Sequence, residues 1–320
     1  MSVLVPVEGE MLDRMLEMTS PPADGLTRAE FRRFDRALSK TSWGQTHQHR
    51  VALMEGADVL ASAQCYDLTG TLDHRPVKIC GIGELLSNPA LHEGTHGQVL
   101  VERLLDDAGR SGTDLVLLFW ASAQGVQVPD GFDTMPTMDV ELKVAEPSRY
   151  GAPMTLVRDG DDRDLAAIVA MGQVRVGRFR FHVDRDLDLV KYVITRKRLL
   201  AGLAPAGTRQ LRFVIAEEGI TAAAYVVMSI VGRTWTIEEC GDRDRSGARV
   251  GAILQALIAR EPTEQRPVIR AWLPSGFVPP QVTIVSTQRS AEIMMRHLRP
   301  TGGQVPLDSD AVLYWRSDIF

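Results

Sequence analysis

The chain has 320 residues, of which 44% are apolar and 24% charged, with a formal net charge of −5. That is the make-up of a globular protein with material for two domains, and its negative balance argues against a nucleic-acid surface. No apolar run approaches the roughly 18 residues of a membrane span, and no basic-then-apolar leader opens the chain, so a cytoplasmic protein without a membrane partner is expected. Cys65, Cys80 and Cys240 are odd in number, far apart and set in apolar strand-like stretches, which reads as buried reduced thiols.

In chain order, Met11, Met15 and Leu16 suit one short helix. Thr27 with Glu30 forms a capping-box pair, and Phe31, Phe34 and Leu38 then fall on one helical face. Arg50–Met54 and Asp58–Tyr66 read as a hairpin turning at Glu55-Gly56-Ala57. Val77–Ser87 reads as a buried strand stopped by Asn88-Pro89, since proline brings no backbone donor. After a Gly-bearing loop, Val99, Leu100, Leu104 and Leu105 recur at helical spacing, with Thr95 and Gln98 as a second capping-box pair. His96, Gly97 and Gln98 would be that helix's first turn. A strand, a tight loop and a helix N-terminus together offer free N–H groups and a positive dipole end to an anion such as a pyrophosphate. Asp114–Phe119 is a nearly all-apolar strand covered on both faces, and Met138–Val144 an alternating strand closing this half. His47, His49, His92 and His96 could approach one another, but no carboxylate or cysteine is spaced to complete a metal set, so no metal is expected.

Glu84-Leu85-Leu86-Ser87-Asn88-Pro89-Ala90-Leu91, followed by His92 to Gly97, resembles the central motif of the GNAT acyltransferase superfamily. There, a strand with a carboxylate and a following proline leads into Arg/Gln-x-x-Gly-x-Gly/Ala and a helix. Gly97 matches the last glycine; His92 stands at the basic position and Thr95 at the middle glycine. Leu118-Phe119 and Gly131-Phe132 are similar, at equal spacing, to a segment of the subgroup of fungal lysine N-acetyltransferases and bacterial relatives. That subgroup's Tyr-Tyr pair falls here on Val126 and Gln127, and its serine on Trp120. The resemblance implies acetyl-CoA or another acyl-CoA as co-substrate, held by Leu85, Leu86, Ser87, His92, Gly94, Thr95, His96 and Gly97. It also implies a small-molecule amine as acceptor, such as an amino acid or biosynthetic intermediate.

Glu146–Pro153 is turn-rich and separates residues 1–146 from residues 153–320. Beyond it, Asp164–Met171 and Leu187–Leu203 read as helices, and Gln210–Ile215 with Ile220–Ile230 as a hairpin. Thr234–Cys240 then repeats the central strand, Gly241–Arg249 the loop, Val250 to Ile258 the helix and Val268–Leu273 the following strand. The repeated order predicts an α/β (α+β) protein of two tandem GNAT-like domains, each a mixed, mostly antiparallel twisted sheet flanked by helices. The apolar runs within Ala291–Pro300 and Ala311–Phe320 would finish the second sheet.

N-acyl transfer needs an anion cradle, a base for the amine and a route for the thiolate to leave. Glu84, late in the central strand, is a candidate base, as against a strand carboxylate with a structural role. Some tandem relatives use a C-terminal carboxylate, and the ordered-looking Phe320 resembles that arrangement. Glu238 and Glu239 hold the equivalent place in the second half, where Arg243, Arg245 and Arg249 face Asp242 and Asp244. The departures at His92, Glu93, Thr95, Trp120, Val126 and Gln127 keep a second expectation open: a GNAT-fold protein in which acyl transfer is lost or altered, serving as a binding or scaffold protein or catalysing other chemistry in the same cleft. Oligomeric state, a homo-oligomer included, is not readable.

Overall fold

The computed structural model of the chain describes residues 2–18, 25–88, 95–119, 129–146, 156–290, 292–299 and 306–320. The chain divides into two units, one formed by Met1–Met135 with Ala291–Pro306 and Ile319–Phe320, the other by Pro136–Ser290 with Leu307–Asp318.

The first unit runs β1 (Val3–Pro6), α1 (Glu10–Met18), α2 (Arg28–Leu38), α3 (Ser42–His47), β2 (Gln48–Glu55), β3 (Asp58–Leu72), β4 (Arg75–Ser87), α4 (His96–Arg110), β5 (Leu115–Phe119) and β6 (Asp133–Thr134). Its strands are ordered β1-β2-β3-β4-β5, then Ile293–His297 and β6. The β4–β5 pair is parallel, Ile79 to Ile82 facing Leu115 to Leu118, with α4 as the crossover such a pair requires. One face of the sheet packs Ala63, Ile82, Leu85, Val116 and Leu118 against Leu100, Val101, Leu104 and Leu105 of α4.

The second unit runs β7 (Met138–Val144), β8 (Leu156–Asp159), α5 (Leu165–Val176), β9 (Phe181–Val183), α6 (Leu187–Leu203), β10 (Arg209–Glu218), β11 (Thr221–Val231), β12 (Thr234–Asp242), α7 (Ala248–Ile258), β13 (Val268–Ala271) and β14 (Val282–Arg289). Its strands are ordered β14-β7-β13-β12-β11-β10-β8, and β12–β13 is again the parallel pair. Val250, Ile253, Leu254 and Leu257 of α7 share a core with Val226, Ile237, Cys240 and Ile269. Hairpin, third antiparallel strand, helix and parallel strand thus occur twice. Both sheets are mixed, mostly antiparallel and flanked by helices, as predicted.

The partners of three segments differ from expectation. β7, predicted to close the first half, pairs with β13 and β14 in the second sheet. Ile293–His297 (β15), predicted for the second sheet, pairs with β5 and β6 in the first. Val312–Leu313 (β16) pairs with β9 instead of extending the second sheet. Alternation gives a strand its faces but not its neighbour, so a closing strand can be exchanged without any trace in its own sequence. The Glu146–Pro153 connection lies, after Glu146, outside the described residues.

The two capping boxes also part company. Thr27 Oγ1 accepts from the Glu30 N–H (3.3 Å) and Glu30 Oε2 accepts from the Thr27 N–H (2.7 Å). Thr95 has φ −91° and ψ −15° and makes no side-chain cap; Gln98 donates to Glu102 instead (3.0 Å). A side-chain cap needs the extended backbone that Thr27 has and Thr95 lacks. In chemical denaturation Thr27→Ala should therefore cost about 1 kcal/mol, and Thr95→Ala no more than about 0.3 kcal/mol.

Candidate active site

β4 is straight as far as its pairing with β5 lasts, and then it bulges. Opposite β3, Gly83 pairs with Gln64 and Leu86 with Ser62, so two residues of β4 face one of β3. Glu84 takes up the irregularity at φ +45°, a conformation L-residues rarely hold. A bulge bends its strand and sharpens the local twist. Here it falls just past the last β4–β5 pair, Ile82 with Leu118.

Glu84 is 9% exposed, and its carboxylate is ion-paired with Arg50 of β2, itself 6% exposed. Arg50 Nη2 also donates to Asp35 of α2 (3.1 Å). Burial opposes the charge on Arg50, but Asp35 and Glu84 more than offset it and hold the guanidinium protonated beyond its ordinary range. Arg50 Nε and Nη1 and the hydroxyl of Ser62 are buried without a hydrogen-bond partner. The sheet face that carries them, away from α4, is therefore polar around the bulge.

Phe320 lies on that face. It is 3% exposed, and its ring meets Trp43 of α3 (centroids 5.8 Å apart, planes 6°), Tyr66 of β3 (4.5 Å, 28°) and Phe119 of β5 (5.6 Å, edge-on). Such pairs contribute about 0.5–1.5 kcal/mol each beyond their burial. A Cβ on Gly83 would stand 2.7 Å from a main-chain oxygen of Phe320, so only glycine leaves room there. The main-chain carbonyl end of Phe320 thus rests against β4 just before the bulge, one residue past the last β4–β5 pair.

Leu85 and Leu86 are buried on β4 beyond the bulge and Ser87 is half-buried. Asn88 fixes the strand's exit, its side chain donating to the Val59 carbonyl (3.1 Å). Thr95, His96 and Gly97 start α4, with Thr95 exposed, His96 half-buried and Gly97 buried. His92 and Gly94 lie outside the described residues, as do Trp120, Val126 and Gln127. Sequence reasoning missed Arg50, Asp35, Trp43, Tyr66 and Phe119. A charged residue opening an apolar strand, as Arg50 does, was the one available signal.

The second unit keeps the frame and fills it. β12 bulges at Glu238, where Val227 and Met228 face Glu239 and Ile237. Glu238 pairs with Lys197 (2.8 Å); burial pushes its carboxyl up, and Lys197 outweighs this to leave it below the usual range. Glu239 is fully buried and accepts from Arg185 and from the Ser317 hydroxyl (2.6 Å). At the N-terminus of α7, Asp242 accepts from the Arg249 N–H (2.9 Å), the Asp244 N–H (2.8 Å) and the Arg249 guanidinium (2.9 Å). The chain's own carboxylate therefore sits where an anion would. Gln281 closes in as well, its Oε1 occupying the space that a Cβ on Gly251 would need.

No protein-family model matches the sequence, and no curated protein does. Solved structures do, over 93% of this chain. A GCN5-related N-acetyltransferase from Anabaena variabilis superposes with a TM-score of 0.65 at 8% identity over 73% of its own length. One from Kribbella flavida gives 0.62 at 15% over 71%. The chain has the tandem GNAT fold. A conserved Enterococcus faecalis protein of unknown function, a probable N-acyltransferase, is similar too, with a TM-score of 0.62 at 11% identity over 73% of its length. In this GNAT framework the described residues hold no cluster of three or more His, Cys, Asp or Glu spaced for a metal ion, and no helix long and apolar enough to cross a membrane.

In the second unit, Arg185 lies between Glu239 and Asp318 (Nε to Oδ1, 3.2 Å), and one guanidinium cannot fully serve two buried carboxylates. Burial pushes Asp318 up to about 6 despite Arg185, and Glu239 adds to the push. A carboxyl raised in the folded state stabilises the fold below its unfolded value, near 4, and that contribution is lost as pH rises through about 6. Relative to Asp318→Asn, which cannot titrate, the wild-type chain should lose stability to urea between about pH 4.5 and pH 7.5. A pH-independent difference between the two would count against the raised carboxyl.

Proposed function

We propose that the chain is an acyl-CoA-dependent N-acyltransferase, with acetyl-CoA as donor and the amine of a small molecule, such as an amino acid or biosynthetic intermediate, as acceptor. The first unit carries the chemistry and the Phe320 carboxylate is the base. The observation that carries this reading is the buried carboxyl end of Phe320 against Gly83, just past the last β4–β5 pair.

In this reading the donor arm and its thioester lie along β4 past its last pair with β5. Thr95, His96 and Gly97 begin a helix of 15 residues whose N–H groups and dipole favour a pyrophosphate. Of the two carboxylates expected from the sequence, Glu84 is engaged by Arg50, and its lone pairs serve the bulge. The Phe320 carboxylate takes a proton from the acceptor amine as the nitrogen attacks the thioester carbonyl. The C–S bond then breaks, and the sulfur leaves with its electron pair before regaining a proton. A thiol with a pKa near 8.5 can depart as thiolate close to neutral pH, so a tyrosine acid at the positions of Val126 and Gln127 is dispensable.

Calorimetry should show acetyl-CoA binding that Gly97→Trp abolishes by filling the first turn of α4. With an amine screen in hand, removing Phe320, or adding one glycine after it, should lower kcat by about 10²–10⁴-fold while acetyl-CoA still binds. Full activity in both would end the carboxylate's role. No acetyl-CoA binding at all would return the chain to the alternative of a GNAT-fold binding protein.

A further inference from the structure

A chain end is ordinarily the least ordered part of a domain, and a carboxylate at the end of a free tail has no fixed direction. The Phe320 ring is instead enclosed, and one wall of the enclosure is set by a short helix. Thr41 caps α3 by accepting from the Gly44 N–H (3.0 Å) while donating to the Leu38 carbonyl (2.7 Å). Gly44 comes so close to that carbonyl that a Cβ would collide with it. These contacts lock α3 onto the end of α2 and present Trp43, which is 4% exposed. The indole meets the His47 ring (5.0 Å, 21°) and lies nearly parallel to the ring of Phe320. Tyr66 and Phe119 meet the same Phe320 ring, and Gly83 leaves space only for its carboxyl group.

We propose that Trp43 and Gly83 are positioning residues for the Phe320 carboxylate, Trp43 by fixing the plane of the terminal ring and Gly83 by admitting the carboxyl group against β4. The role rests on the carboxylate being the base. The sequence separation of 277 positions between Trp43 and Phe320 (320 − 43) explains why no local pattern announces it. Trp43 need not touch either substrate: its effect passes through the ring it holds. Loss of the clamp therefore lowers turnover and spares donor binding, whereas loss of a pocket wall would raise KM.

Two readouts separate the clamp from the reading beneath it. Carboxypeptidase A removes C-terminal aromatic residues from accessible ends, and intact mass reports the loss of Phe320 without any assay of function. The unsubstituted chain should resist, while Trp43→Ala and Gly83→Ala should lose the residue at least about tenfold faster and Trp43→Phe should stay close to it. If folded Trp43→Ala is trimmed no faster than wild type, the clamp is overturned. Should Trp43→Ala not fold, Gly83→Ala decides alone, because its added methyl meets only the Phe320 end and the Phe119 ring within 3.4 Å. In kinetics, Trp43→Ala and Gly83→Ala should lower kcat by about tenfold or more with the acetyl-CoA KM within about twofold, and Trp43→Phe should recover most of the rate. A rise in KM at constant kcat would make Trp43 a binding wall and overturn positioning. If the clamp is confirmed by trimming but the trimmed chain keeps full turnover, the carboxylate reading fails while the clamp stands.

Discussion

The first unit's site depends on one buried guanidinium. Glu84 holds a backbone conformation that costs a non-glycine residue about 1–3 kcal/mol, and such strain persists only where the surroundings over-determine it. Arg50 supplies that constraint by binding the Glu84 carboxylate while Asp35 holds its other side. Removing one partner would strand a buried charge, a loss far larger than the strain itself. The bulge bends β4 immediately after Gly83, the residue against which the end of Phe320 rests. The polar contacts around Arg50 thus help to fix the strand that receives Phe320, although Arg50 itself lies on β2.

The same frame, built twice, shows how little a fold says about chemistry on its own. Each unit has the hairpin, the bulged strand with a buried glutamate, the helix and the parallel strand. In the first, the bulge carboxylate is satisfied from β2 and the end of Phe320 rests against Gly83 of β4. In the second, Lys197 and Arg185 satisfy the glutamates, Ser317 and Asp318 pack beside them, and Asp242 closes the helix end. The difference lies in a few side chains, not in the order of elements.

Much of the fold was legible in the sequence because local chemistry dictated it. Apolar periodicity marked α4 and α7, Gly56 and Gly219 marked the hairpin turns, and Asn88-Pro89 marked the end of β4. The frame around Glu84 and Gly97 marked the fold, and an aromatic run marked the ordered end at Phe320. What stayed hidden depends on distance along the chain. The exchange of β7 and β15 between sheets is a choice of neighbours that no single strand encodes. Arg50 finds Glu84 across 34 positions, and Trp43 finds Phe320 only after the whole chain is in place. Thr95 misled because a capping pair in sequence becomes a cap only when the backbone turns the right way.

Asp242 has a wider meaning. An anion held by a helix end is usually a visitor whose occupancy follows its concentration, and salt can displace it. Asp242 is joined to the same chain, so its effective concentration at that helix end is fixed by covalent geometry and far exceeds what a dissolved phosphate could reach. It cannot be diluted, exchanged or washed away. The second copy carries its counter-ion as sequence, and a phosphate could take that place only by displacing a tethered carboxylate.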